Sequence, residues 1–466
     1  MQTLPNSLIG NLAMQSPIRS VGRVLAVEGG VLRIRGLEQV AALGDQLFVK
    51  RRDGRVLGGE VLSIQSDHLL MLPDALPDGV CLGDRVSHMP ERGIAPCDQW
   101  IGRVIDPYGQ PLDGRTLAQG SLQRPVRAEP PPAALRRRLG GRLETGLACF
   151  NTLLPLVQGQ RMGLFAGSGI GKSRLLGQFA RHVQADVVVV ALIGERGREL
   201  REFVEEVLGP EGLARSVIVT ATSDQSPLVR RRCAWAALAV AEHFREDGKQ
   251  VLLLADSITR FAEAHREIAV ASGEAASIGG YPPSTAHLIM SLCERAGPGS
   301  VGHSGDITAV FTVLVAGSDM ESPVADILRG VLDGHVVLER KIAERGRFPA
   351  IDLLRSVSRS LPEAASAEEN AMILEARRLL GAYEKSEVMV RAGLYSEGSD
   401  PVLDQALSIW DDLDRFIGQS EAVDTQNSFS RLALMLRRAK ARPVQKSPEP
   451  PQRRMPRGPT RSGQDH

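Results

Sequence analysis

Residues 164–176 read LFAGSGIGKSRLL: a short apolar run, three glycines, a lysine and a serine, then the start of a helical pattern. No other stretch restricts the chain so much. A strand that turns into a helix through Gly167, Gly169 and Gly171 is built for backbone angles and close approaches that side chains forbid. Its N–H groups point inward and form a cage for phosphate oxygens. Lys172 reaches the β- and γ-phosphates, Ser173 offers a hydroxyl to Mg²⁺, and the helix that starts there turns its positive end to the same anion. The cage spans Ala166, Gly167, Ser168, Gly169, Ile170, Gly171, Lys172 and Ser173. The one departure from the P-loop pattern is Ala166, where a glycine is usual.

The surroundings suit such a turn. From about residue 96, strand-like runs (RMGLFA, ADVVVVALIG, SVIVTAT, VLLLAD, DITAVFTVLV) alternate with amphipathic helical runs such as GKSRLLGQFARHV, RELREFVEEVLG and PLVRRRCAWAALAVAEHFRE. β-branched apolar runs between helices predict a parallel sheet covered on both faces. RPVRAEPPPAALRRR reads as an ordered linker stiffened by Pro130, Pro131 and Pro132. Ahead of it, VGRVLAVEG, VLRIRG, QLFVKRR, GRVLGGEVLSIQ and HLLMLP alternate between tight turns and predict a small barrel. Beyond about 365 the pattern is helical. The expected division is an N-terminal segment 1–19, a β-barrel 20–95, a nucleotide-binding α/β core 96–365, a helical domain 366–440 and a tail 441–466. That tail carries six prolines and six Lys/Arg against two acids and reads as disordered.

Composition removes several function classes. Formal net charge is +1, so no global field draws the chain to nucleic acid. The first 95 residues hold ten basic and ten acidic side chains and one aromatic, Phe48. An oligonucleotide-binding barrel needs aromatic platforms and a basic groove, so this one points to packing or assembly. The five cysteines (Cys81, Cys97, Cys149, Cys233, Cys293) form no CxxC pair, which argues for reduced thiols in a cytoplasmic protein rather than a zinc site or disulfide framework. No signal peptide or spanning run is legible, so any membrane role is peripheral.

Two further carboxylates complete a catalytic reading. VLLLADSITR ends an apolar strand in Asp256, the Walker B form, which would hold Mg²⁺ mainly through water. VVVVALIG runs straight into Glu195-Arg196-Gly197-Arg198-Glu199. A carboxylate at the carboxyl end of a parallel strand lies on the ligand-binding edge of the sheet, which makes Glu195 a candidate to polarise an attacking water.

GSGIGKS, ALIGERGRE, LLLADSITRFA, GGYPPS and RFPAIDLLRSVSRS occur in the order found in the rotary ATPase family, the ATP synthase alpha/beta subunits. The likeness covers roughly residues 20–440. Within the family the chain most resembles the flagellar type III export ATPases, with the ATPases of virulence injectisomes as close relatives. The resemblance implies a RecA-like core with a parallel sheet, an N-terminal small β-barrel and a C-terminal helical domain, with ATP and Mg²⁺ as ligands. It also implies roles. Lys172 and Ser173 match the P-loop lysine and magnesium ligand, Asp256 the Walker B residue and Glu195 the catalytic carboxylate. Arg196 matches an arginine near the γ-phosphate, Phe348 the aromatic against adenine, usually tyrosine, and Arg359 the finger reaching into a neighbour's site. Asn151 stands where an acid is expected.

Glu195 and Arg359 share one polypeptide, so a ring of identical copies completes every site from two neighbours. The family implies six copies. It further implies a stator or regulator, export-gate proteins and substrate–chaperone complexes as partners, no nucleic acid, and a cytoplasmic location at the inner membrane. Two readings of other classes compete. A RecA-like RNA translocase predicts a basic, aromatic-rich barrel, and a non-hydrolysing ring subunit predicts loss of Lys172, Glu195 or Asp256. Neither pattern is present.

Overall fold

The structure is a computed structural model and describes residues 20–441 except 92, 276–277, 303–304 and 316–319. The N-terminal segment and the tail from 442 onward lie outside the described residues. Six strands close a barrel: β1 (Val21–Glu28), β2 (Val31–Arg35), β3 (Gln46–Lys50), β4 (Val56–Ile64), β5 (Leu69–Pro73) and β6 (Arg85–Met89), in the order β1-β2-β5-β4-β3-β6. Alternation places Val24, Leu32, Ile34, Leu47, Val49 and Val61 inside. The sequence reading quoted five of these strands. The sixth, RVSHM, has only Val86 buried, so it shows little of the apolar alternation that marks the others.

The second sheet is built from β7 (Arg103–Ile105), β8 (Arg161–Ala166), β9 (Val187–Glu195), β10 (Ser216–Thr222), β11 (Gln250–Asp256), the two-residue β12 (Gly297–Pro298), β13 (Asp306–Leu314), β14 (Gly334–Leu338) and β15 (Ile351–Ser358). Its order is β15-β14-β8-β13-β11-β9-β10-β7, with β12 beside β13. All neighbours from β14 to β7 are parallel, and β15 returns antiparallel along β14. The expected parallel sheet is therefore present, with an antiparallel edge.

Both faces are covered, and strand alternation shows why. In β9, Val188, Val190 and Leu192 enter one core while Val187, Val189, Ala191 and Ile193 enter the other. The longer helices on these faces are α1 (Lys172–His182), α2 (Pro227–Glu246), α3 (Ile258–Ala271), α4 (Ser284–Arg295) and α5 (Pro323–Val331). The first core also takes residues from α6 (Ala367–Arg391), α7 (Pro401–Ile417) and α8 (Thr425–Ala441), among them Ile373, Leu379, Leu413, Phe416, Phe429 and Leu432. Helix starts are written locally. Ser226 accepts from the backbone of Val229 ahead of Pro227, and Asp400 does the same for Val402 and Leu403 ahead of Pro401. Ser366 and Glu369 form a reciprocal capping box.

A charged seam ties the barrel to the core. Glu60 of β4 accepts from Arg127 of the linker, and from Arg231 of α2 at 2.8 Å. Glu91 accepts from Arg232 at 2.9 Å. The Arg127 and Arg231 guanidinium groups lie 4.7 and 4.9 Å from the Trp235 ring. The linker is ordered because its arginines are committed: Arg124 pairs with Glu246, Arg136 with Glu294 and Arg137 with Asp306.

Candidate active site

The carboxyl ends of β8, β11 and β9 converge on one cleft of about 1370 Å³. β8 ends at Ala166, which is buried at the base of the loop and does not line the cleft. Gly167, Ser168, Gly169, Ile170, Gly171, Lys172 and Ser173 do line it. Gly171 has φ of 91°, and a Cβ there would lie 3.2 Å from Phe348 Cδ1. Any side chain at 171 would be both strained and crowded. The half-exposed Phe348 ring thus sits against the loop at its helix end. Arg340 steadies the other end, its Nη2 donating to the Ser168 carbonyl at 3.2 Å.

β13 separates β8 from β11 in the sheet. Lys172, at the start of α1, reaches across it. Its ammonium donates to Asp256 Oδ1 and lies 3.9 Å from Glu195 Oε1. Thr312 of the intervening strand donates to the same Asp256 oxygen at 2.7 Å. Glu195 owes its placement to a bulge. β9 and β10 pair Ile193 with Ala221 and then Glu195 with Thr222, which leaves Gly194 as the extra residue, with φ of 67°. The bulge carries the carboxylate over the sheet edge toward Lys172. Burial, then the Asp256 charge, push the Glu195 carboxyl up to about 7, against the pull of Lys172. A carboxylate poised there can accept a proton from water near neutral pH.

Arg196 is largely exposed on the cleft wall and pairs with Glu199 at 3.3 Å. Arg359 is placed elsewhere. β15 starts beside Leu338 at the P-loop edge and runs back to Ser358 at the opposite edge. Its eight residues span about 23 Å, and Arg359 follows directly. There its guanidinium donates to the carbonyls of Leu332 at 3.2 Å and Arg329 at 3.0 Å. The structure brings Lys172, Glu195, Asp256 and Ser173 to one cleft and leaves Arg359 of the same chain out of reach.

Asn151 is buried, and its Oδ1 accepts from the Thr145 backbone at 3.0 Å and hydroxyl at 2.7 Å. Its amide donates to Glu144 at 3.3 Å, which an acid could not do. Sequence reasoning missed Thr312, Arg340, Arg230 and Arg260. Arg230 pairs with Glu267 and Arg260 with Glu263, each at 2.9 Å, on the cleft wall. The signal for Arg260 was its place four residues after Asp256. The signal for Thr312 was a hydroxyl near the carboxyl end of a buried strand.

Asp256 and Ser173 present hard oxygen donors beside a lysine, which suits a divalent cation carrying phosphate, while the buried Thr312 holds the Asp256 carboxylate from behind. Among the described residues no group of three or more His, Cys, Asp or Glu could hold a metal unaided. The donor set therefore fits a metal that arrives with its nucleotide.

Comparison with known proteins gives the chain's relatives. The ATP synthase alpha/beta family nucleotide-binding domain matches residues 146–358, and the T3SS EscN ATPase C-terminal domain matches residues 365–434. The chain is 43% identical to the flagellum-specific ATP synthase of Caulobacter vibrioides, covering 92% of this chain and 99% of the relative. It is 41% identical to that of Salmonella typhimurium, covering 91% and 95%. It is 40% identical to the type 3 secretion system ATPase of Xanthomonas euvesicatoria, covering 89% and 93%. Among solved structures, the assembled ATPase EscN of enteropathogenic E. coli superposes with a TM-score of 0.82 at 36% identity, covering 89% of this chain and all of that one.

Proposed function

Because this chain belongs to the ATP synthase alpha/beta family and is a P-loop enzyme that hydrolyses ATP, we propose that it works as a ring of six identical subunits energising type III protein export for flagellum assembly. The observation that carries this reading is the placement of Glu195 and Arg359 at opposite edges of one sheet. A single chain holds both halves of a site and cannot bring them together, while a head-to-tail ring joins them at every interface.

Within the proposed site each group has one task. The loop N–H groups and Lys172 hold the β- and γ-phosphates, the lysine exchanging its contact with Asp256 for the nucleotide. Ser173, and Asp256 mainly through water, would hold Mg²⁺, which would supply charge neutralisation at the phosphates. Phe348 supports the adenine; the missing tyrosine hydroxyl leaves its stacking face unchanged. Glu195 orients the attacking water and takes its proton. Arg196 faces the γ-phosphate. The neighbour's Arg359 offsets charge on the transferred phosphoryl group, an effect worth about 10³–10⁵ in rate in other P-loop enzymes.

The barrel over residues 20–95 serves packing or assembly, and its scarcity of aromatic residues argues against nucleic acid as a partner. A relative, EscN, is recorded assembled and with its central stalk EscO. For this chain the proposed partners are a stator or regulator, export-gate proteins and substrate–chaperone complexes at the cytoplasmic face of the inner membrane. No helix of the described residues is long and apolar enough to cross a membrane.

ATPase rate measured against protein concentration tests the reading. Specific activity should rise steeply with concentration, in step with ring formation followed by light scattering. Full specific activity from dilute monomer would overturn it.

A further inference from the structure

The cleft contains an arginine that neither the P-loop nor the carboxylates employ. Arg174 is exposed and lines the same cleft as Lys172. Five of the other cations that line the cleft are engaged: Lys172 with Asp256, Arg196 with Glu199, Arg230 with Glu267, Arg260 with Glu263, and Arg340 with the Ser168 carbonyl; the exposed Lys341, an ammonium, is the other without a pair among the described residues. Among the described residues nothing pairs with the Arg174 guanidinium.

Helix geometry says where this free charge points. Arg174 lies two residues after Lys172 in α1, so the two side chains leave the helix about 200° apart. Lys172 turns inward to Asp256 and Glu195, the phosphate end of the site. Arg174 turns the other way. It lies three residues after Gly171, the left-handed residue that caps α1, so both belong to the start of that helix. Gly171 is the residue against which Phe348 packs. The half-exposed Phe348 ring, which packs on that cap residue without lining the cleft, and the free guanidinium therefore both stand at the start of α1, Arg174 on the side of the helix opposite to Lys172.

We propose that Arg174 is a base-contacting residue, its planar guanidinium lying over one face of the purine while Phe348 supports the other. A guanidinium is flat, weakly hydrated and stacks on aromatic faces, which an ammonium does not do. Stacking depends on the π-face and not on hydrogen-bonding edges, so the contact serves adenine and guanine alike. The inference rests on the nucleotide reading of the cleft.

Steady-state kinetics of the full chain test it. Arg174→Ala should raise KM for ATP and for GTP by about fivefold to tenfold, with kcat changed less than twofold. Arg174→Lys should behave like the alanine variant. Inhibition by inorganic tripolyphosphate, which has no base, should be the same in all three proteins. Unchanged KM in Arg174→Ala overturns the proposal, and so does weaker tripolyphosphate inhibition or rescue by lysine, since either makes Arg174 a phosphate contact. The underlying reading fails differently: Lys172→Ala would then retain normal ATP binding.

Discussion

Helix α2 opens with three consecutive arginines, and they divide between two settings. Arg230 faces the cleft, whereas Arg231 and Arg232 face the barrel seam. In the seam every one of these guanidinium groups has a carboxylate, and Trp235 lies between Arg127 and Arg231. In the cleft the charges are shared unevenly: Lys172 and two acids are crowded together, and Arg174 and Lys341 are left over. Residues of one type thus hold the molecule together in one place and wait for a ligand in the other. The difference is one of completion. A saturated cluster resists change, and an unsaturated one has something to offer an anion.

The comparison breaks most visibly at Arg359. Its replacement by alanine should lower kcat by about 10³–10⁵-fold while the subunit still binds ATP. Mixed with Glu195→Gln under conditions of subunit exchange, it should regain activity, because about a quarter of head-to-tail interfaces then join an intact Glu195 to an intact Arg359. Single-turnover hydrolysis checks this independently of cooperation between sites. No recovery despite proven exchange would confine the finger to its own subunit.

Glu195 sharpens the contrast from the cleft side. Glu195→Gln should bind ATP nearly as the parent does and lose about 10²–10⁴-fold in kcat, whereas Lys172→Ala should lose binding as well. The base works as the carboxylate, so protonation removes it. With the free-enzyme group pushed up to about 7, kcat/KM should climb through that pH and fall about tenfold for each unit below it. A flat profile from pH 6 to 8 in the parent protein would remove Glu195 from the proton transfer.

The seam should respond in the opposite sense. Glu60→Ala strands the buried Arg231 guanidinium and should cost about 3–5 kcal/mol of stability, read as a lower unfolding midpoint in denaturant. The kcat of assembled protein should change less than twofold. A large kcat loss with unchanged stability would mean that the seam belongs to the catalytic apparatus.

Much of this arrangement was legible beforehand, for identifiable reasons. The P-loop, Glu195 and Asp256 are each written locally, at the end of a strand that advertises itself by an apolar run. β15 was harder. RFPAIDLLRSVSRS carries a strand whose antiparallel direction depends on β14, a partner no local pattern specifies. RELREFVEEVLG reads as one amphipathic helix, but the backbone adopts wide π-helical turns over Phe203–Leu208 where it packs against α1. GRVIDPYGQPLDG reads as turns, yet Arg103–Ile105 pairs with β10 as an edge strand. Strand order lies beyond local pattern altogether, and with it the reach of Lys172 across β13 to Asp256. Thr312 and Arg340 act through residues far from them in sequence, which is why they were missed.

The return of β15 along β14 has a consequence for the cell as well as for the chain. On the proposed arrangement a newly made subunit carries its water-activating acid and its finger on opposite edges, pointing apart. It can load fuel but has no way to burn it alone. Consumption is then confined to places where subunits have met in the right order. Stray copies stay silent however much ATP surrounds them, and the geometry of one edge strand acts as a safety catch.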